Sequence, residues 1–318
     1  MSLIPILLAL VPVAALIFLG GTLKRLPGFT NTEFWSGAEK LAYYCLLPVL
    51  LFSSVAEVSV AHVPLAPLAV GLIAPTVFVS ILIIVLRRFV ARDLPSFTSV
   101  LQGGIRFNTY IGLSIAASLF GAEGSALAAI VAAVLVPTVN IVSSLGFEFL
   151  RTGPSSVAGI LRVIVTNPLV LGCAAGGAFN LTGTHVPDAI NSVLSPLAAA
   201  ALPIGLLCVG AGLRRFPLRA HVAAMVNSTV TKLLVLPAVT LFVLVLLDVP
   251  TTPALVAMIF QSIATASSGY VMARQLGGNS ELMAALIAAQ TVLMLFTLPL
   301  VLLGSQSVLE TCRPTRTP

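Results

Sequence analysis

The chemistry available to this chain concentrates in two polar stretches set inside apolar sequence. The first reads Gln102-Gly103-Gly104-Ile105-Arg106-Phe107-Asn108-Thr109-Tyr110-Ile111-Gly112-Leu113-Ser114, and the second Gln261-Ser262-Ile263-Ala264-Thr265-Ala266-Ser267-Ser268-Gly269-Tyr270. Amides, hydroxyls and freed backbone N–H groups can hold a carboxylate where a helix is interrupted at hydrocarbon depth, because the N-terminus of a half-helix offers partial positive charge. Asn108 and Thr109 are the expected donors, with Thr265, Ser267 and Ser268 across from them and Gly112, Ser114 and Tyr270 in the same lining. Small and hydroxyl residues also allow close helix packing, so each Ser and Thr keeps that second reading. Arg106 either anchors the anion or snorkels toward the membrane face; Lys232 reads as a snorkelling residue. Gly112 and Gly269 are the expected hinge points, joined by Pro48 and Pro203.

Composition fixes the kind of element that must carry these stretches. The 318 residues are 58% hydrophobic and 8% charged, with mean hydropathy +1.11, whereas soluble domains carry about 25% charged residues. Runs such as 65–86 and 196–213 approach or reach the roughly 20 residues that a helix needs to cross hydrocarbon. The net charge of +6 and pI near 9.6 do not indicate nucleic acid, since the basic residues form short clusters without interleaved aromatics. Cys45, Cys173, Cys208 and Cys312 have no CxxC spacing and read as small core residues. No metal or cofactor is expected, and no HExxH, GxSxG, P-loop or paired-carboxylate pattern points to an enzyme. The first apolar run lacks a basic leader and a cleavage site, so it is expected to remain as a span.

Apolar runs predict about ten spans, at 3–21, 38–56, 64–86, 97–119, 124–147, 165–181, 189–213, 220–247, 253–274 and 281–303. Lys24, Arg25, Lys40, Arg87, Arg88, Arg92, Arg151, Arg162, Arg214, Arg215, Arg219 and Arg274 follow odd-numbered spans. The opposite loops, around Glu57, Glu123, Asp188 and Asp248, carry no Lys or Arg. The positive-inside rule then places both termini outside the cytoplasm of a bacterial inner membrane, with Arg313 and Arg316 as late exceptions. His62, His185 and His221 fall at span ends, which disfavours a buried histidine relay.

Two echoes suggest an internal repeat. Leu47-Pro48-Val49-Leu50-Leu51 resembles Leu202-Pro203-Ile204-Gly205-Leu206, and Ala128-Ala129-Ile130-Val131-Ala132-Ala133 resembles Ala284-Ala285-Leu286-Ile287-Ala288-Ala289, both at an offset of about 155 residues. The same offset carries the first polar stretch onto the second. Five spans per repeat would invert the second copy in the bilayer, an arrangement suited to alternating access. The expected division is 1–149 for the first repeat, 150–164 for a cytoplasmic linker, 165–304 for the second repeat and 305–318 for a tail.

With these motifs in place, the chain resembles the auxin efflux carrier family, which includes bacterial malonate-type carriers. The likeness runs through Gly20-Gly21-Thr22-Leu23-Lys24-Arg25, Leu47-Pro48-Val49-Leu50-Leu51-Phe52, Phe107-Asn108-Thr109 with Gly112, and Leu119-Phe120-Gly121. It continues in Asn167-Pro168-Leu169, Leu202-Pro203, Gly210-Ala211-Gly212-Leu213 and Ser268-Gly269-Tyr270-Val271-Met272-Ala273-Arg274-Gln275-Leu276-Gly277-Gly278. The resemblance implies an all-α membrane protein of ten helices in two inverted five-helix repeats. It also implies a scaffold of spans one, two, six and seven, crossed and broken helices four and nine, and a homodimer. It places a substrate carboxylate at Asn108. Where relatives carry proline near the breaks, this chain has Leu113-Ser114 and Ala264-Thr265.

The resulting expectation is a secondary transporter for a small mono- or dicarboxylate, by uniport or weak proton coupling, because acidic residues are nearly absent from the spans. An anion channel or membrane sensor and a proton- or sodium-coupled symporter are the alternatives. The expected partners are the carboxylate and the lipid bilayer.

Overall fold

The computed structural model describes residues 3–56, 63–91, 93–148, 166, 168–213, 221–266, 269–270, 272–273 and 277–312, and these are helical with short connections. In chain order the helices are α1 (Leu3–Leu23), α2 (Thr32–Leu41), α3 (Leu47–Ala56), α4 (Leu65–Val85), α5 (Arg87–Val90), α6 (Leu94–Ile105) and α7 (Thr109–Glu148). They continue with α8 (Pro168–Asn180), α9 (Asp188–Gly212), α10 (Val222–Val230), α11 (Leu236–Leu246), α12 (Thr251–Ser262) and α13 (Ser280–Thr311). π-Helical turns at Ala42–Leu46 and Thr231–Val235 join α2 to α3 and α10 to α11. Each wide turn comes just before a Leu-Pro pair, Leu47-Pro48 or Leu236-Pro237, where a proline ring would otherwise press on the preceding turn.

Among the described residues, seven helical stretches are long and apolar enough to span a membrane: Leu3–Leu23, Thr32–Ala56, Leu65–Val85, Leu94–Ser143, Asp188–Gly212, Val222–Leu246 and Ser280–Thr311. The sequence reading counts about ten, and the difference has identifiable causes. Leu94–Ser143 contains expected span four and most of expected span five, yet it is no single rod: the chain leaves the helix at residues 106–108, and Gly121 adopts φ 61°, ψ −139° inside α7. Expected span six is the 13-residue α8, about 20 Å long at 1.5 Å per residue, less than the roughly 30 Å of hydrocarbon. Expected span nine holds the 12-residue α12 and then turns extended.

Helix caps account for the shifted boundaries. Asn31 Oδ1 accepts the Glu33 N–H and starts α2 at Thr32 rather than at 38, which puts Lys40 inside a helix instead of a loop. Asp93 caps α6 through the Ser96 N–H, and Asn279 caps α13 through the Leu282 N–H. α13 runs to Thr311, so the first part of the expected 305–318 tail is helical. The 150–164 linker lies outside the described residues, as do Arg92, Arg151, Arg162, Arg214, Arg215, Arg219, Arg274, Arg313 and Arg316.

Two helix pairs are held by close backbone approach. On α1 and α9, a Cβ at Gly20 or Gly210 would overlap the carbonyl of Leu207 or Ile17. On α8, Gly172 and Gly176 lie one turn apart, and a Cβ on either would stand 2.6 Å from the carbonyl oxygen of Pro48 or Phe52 on α3. Lipid supplies little hydrophobic drive for helix association, so contact at this range, which only small residues permit, is what holds such pairs. The outer surface presents Phe18, Phe78, Phe242, Phe296 and Leu300 well exposed, a face suited to hydrocarbon.

Candidate functional site

The two polar stretches both interrupt their helices, and the interruptions touch. α6 ends at Ile105, and Arg106 takes extended backbone at φ −71°, ψ 160°. α12 ends at Ser262, and Ile263 does the same at φ −89°, ψ 162°. Across the gap the Asn108 N–H donates to the Ala264 carbonyl at 2.9 Å. The Gln290 side chain on α13 then bridges both breaks. Its Oε1 accepts the Thr265 N–H at 3.0 Å, and its Nε2 donates to the Gly103 carbonyl at 3.0 Å. The Gly103 carbonyl lies in the last turn of α6 and the Thr265 N–H in the non-helical stretch after α12, so one amide satisfies a backbone group on each side.

Asn108 is the cap of α7. Its Oδ1 accepts from the Tyr110 and Ile111 N–H groups at 3.1 and 3.3 Å, and its carbonyl accepts from Gly112 at 3.0 Å. Among the described residues this leaves the Thr109 N–H without a partner at the start of a long helix, on a half-buried residue. Asn108 itself is 2% exposed. The breaks therefore form without the prolines of the resemblance; paired backbone and amide hydrogen bonds hold them.

Several expected residues sit differently from the sequence reading. Gly112 is not at the break but one turn inside α7, where a Cβ would stand 2.8 Å from the Phe260 ring, which itself meets Phe107 edge-on. Arg106 does not snorkel: it is 7% exposed, and its guanidinium donates to Asn140 Oδ1 at 2.9 Å, with Ser143 Oγ and Met272 Sδ at 3.5 and 3.3 Å. Lys232 does not snorkel either. It is 0% exposed in the π-helical turn and donates to the Phe260 carbonyl at 3.3 Å, because that carbonyl belongs to the last turn of α12 and attracts a cation.

Thr265 is buried with its Oγ1 unpartnered, and Ser114 is buried further along α7. Tyr270 is half-buried, Gly269 packs against Met283, and Ser267 and Ser268 lie outside the described residues. Pro48 follows the first π-turn, while Pro203 is exposed within α9.

Sequence reasoning missed the amides that organise the site. Gln290 and Asn140 are lone amides in apolar helices, and at that depth an amide without partners is costly, which was the available signal. Gln261 donates to the Leu72 carbonyl at 3.3 Å and Thr76 Oγ1 at 3.1 Å, tying α12 to α4. Gln102 is fully buried with neither side-chain atom hydrogen-bonded. Beside this region a cavity of 860 Å³ opens between α1, the end of α9 and α13, with Lys24 and Arg25 among its walls and Thr291, the neighbour of Gln290, on its α13 side. Asn108 and Thr265 do not line it.

These features define a multi-pass helical membrane protein whose polar interior is built on two facing helix interruptions. The family model described as "Membrane transport protein" matches residues 5–302, and the chain belongs to that family, the auxin efflux carriers. The chain is also 27% identical over 297 residues, covering 90% of its own length and 91% of the relative's, to a protein of Rhizobium meliloti (strain 1021) described as "Putative malonate transporter".

Proposed function

We propose that this chain is a secondary transporter for a small mono- or dicarboxylate, malonate being the first to test, bound where α7 begins beside the α12 break. The observation that carries this reading is the Asn108 cap. It occupies the Tyr110 and Ile111 N–H groups, leaves the Thr109 N–H without a partner among the described residues, and is itself fixed to Ala264 by its own N–H. A carboxylate there would meet the N-terminal end of α7, the Thr109 hydroxyl and the Asn108 amide. Thr265 Oγ1 would face it from the second break, Ser267 and Ser268 are proposed as further hydroxyl donors, and Arg106 would contribute positive potential from its seat on Asn140. The malonate relative and the transport family support an anion as cargo.

The proposed architecture is ten spans in two inverted repeats, 1–149 and 165–304, with the glycine-packed pairs α1–α9 and α3–α8 as scaffold and the interrupted helices as the moving part. Alternating access would carry the junction from one face to the other, in a bacterial inner membrane with both termini outside and a homodimer as the assembly. The Lys24 and Arg25 cavity supports a cytoplasmic approach for anions.

Protein reconstituted into liposomes preloaded with unlabelled malonate is expected to take up labelled malonate transiently against its gradient and to saturate. Linear, non-saturating flux without counterflow would identify a channel instead.

A further inference from the structure

The site as described uses no charged group to carry a coupled ion, yet one stands behind it. Lys232 is fully buried, and its hydrogen bond goes to the Phe260 carbonyl, four residues before the Ala264 carbonyl that receives the Asn108 N–H. The elements packed most closely against its turn are α6, α10, α11, α12 and α13. Among the described residues the titratable groups on those five elements are Glu281 and Glu310, both exposed and at opposite ends of α13. No carboxylate therefore faces the ammonium from the elements around it. A buried cation held by one carbonyl gains little from its surroundings against the cost of leaving water. The charge that would stabilise it is the anion proposed above, on the other side of the same break.

We propose that Lys232 carries the coupled proton: it is protonated when a carboxylate occupies the junction and releases that proton to water when the junction empties, making transport a proton–anion symport. The step is balanced, since R–NH3+ gives R–NH2 and one H+, which leaves with the anion on the same side. The last turn of α12 is the link. Its Phe260 carbonyl holds the ammonium, and the Phe260 ring packs on Phe107 and against Gly112, so movement of the α12 break on anion release alters the lysine's acceptor. The π-helical turn at Thr231–Val235 adds freedom where the lysine sits.

This inference rests on the carrier reading, and the experiment separates the two. Proteoliposomes clamped at zero membrane potential are given a one-unit pH difference, acid outside, and labelled malonate. One proton per anion supports about a tenfold accumulation. Wild type is expected to approach that ratio and to acidify a trapped pH dye.

Lys232→Arg, which keeps a cation on the carbonyl but does not release it, is expected to equilibrate at a ratio of one while retaining counterflow at equal pH. Lys232→Met, which cannot take the proton, is expected to equilibrate at the same ratio with counterflow that needs a higher malonate concentration, because the ammonium and the anion stabilise each other reciprocally. Two results would overturn the coupling alone: wild type that shows counterflow but no gradient-driven accumulation, or variants that accumulate malonate as wild type does, which would mean that the proton rides on the substrate. Absence of counterflow in wild type would overturn the carrier reading and the coupling with it.

Discussion

Gln290→Leu is expected to lower malonate counterflow by more than about tenfold and to depress the melting temperature of the detergent-solubilised protein. The leucine leaves the Thr265 N–H and the Gly103 carbonyl buried without their partner. Each orphaned backbone group costs about 1–3 kcal/mol, so the loss is about 2–6 kcal/mol, shared between stability and the positioning of the two breaks. Gln290→Glu separates the halves of this effect. It keeps an acceptor for Thr265 but sets a carboxylate oxygen against the Gly103 carbonyl, and is expected to fall between wild type and leucine. Thr291→Val is the control for melting, because the Thr291 hydroxyl bonds only within its own helix, to the Ile287 carbonyl. A Gln290→Leu protein that melts and transports as wild type would show that the amide bridge holds nothing.

Asn108 tells anion binding apart from folding. In Asn108→Asp the carboxylate can still accept the Tyr110 and Ile111 N–H groups, and a negative charge at a helix N-terminus is favourable, so the melting temperature should hold or rise. The same charge repels a carboxylate docking beside it: at about 5 Å and an effective dielectric of about 20 the repulsion is about 3 kcal/mol, roughly a hundredfold in Kd. Asn108→Ala is expected to do the reverse in part, losing about 1–2 kcal/mol of stability with the cap. Calorimetric titration with malonate and thermal melts on both variants check the pair. Unchanged malonate affinity in Asn108→Asp would place the anion elsewhere.

How far the sequence could be read depended on contrast with its surroundings. The polar stretches at 102–114 and 261–270 stood out because hydrophobic sequence flanks them, and both do interrupt their helices. Hydropathy smooths over short half-helices, however, so α6 with the start of α7, and α12 with the residues after it, read as whole spans, and α8 read as longer than its 13 residues. The breaks were assigned to Gly112, Gly269 and neighbouring hydroxyl side chains, with Pro48 and Pro203 as further hinges. In the fold Gly112 is a packing contact against Phe260, and the break a turn earlier is held by the Asn108–Ala264 bond and Gln290.

Lys232 was read as snorkelling from its depth, and Arg106 as either an anion anchor or a snorkelling residue. Their real partners, a helix-end carbonyl and Asn140, come from elements 28 and 34 residues away along the chain, beyond what local sequence can report. Cap residues were missed for a simpler reason. Asn31, Asp93 and Asn279 lie in polar connections, where the hydropathy pattern that located the spans carries no signal.

The central claim is the location of the anion, and the most direct measurement is an experimental structure of the protein saturated with malonate. Malonate density within hydrogen-bonding distance of the Thr109 N–H and the Asn108 side chain, with the Asn108–Ala264 bond intact, is the result this account requires. Malonate seated instead in the cavity beside Lys24 and Arg25, with the junction unoccupied at saturation, would contradict it.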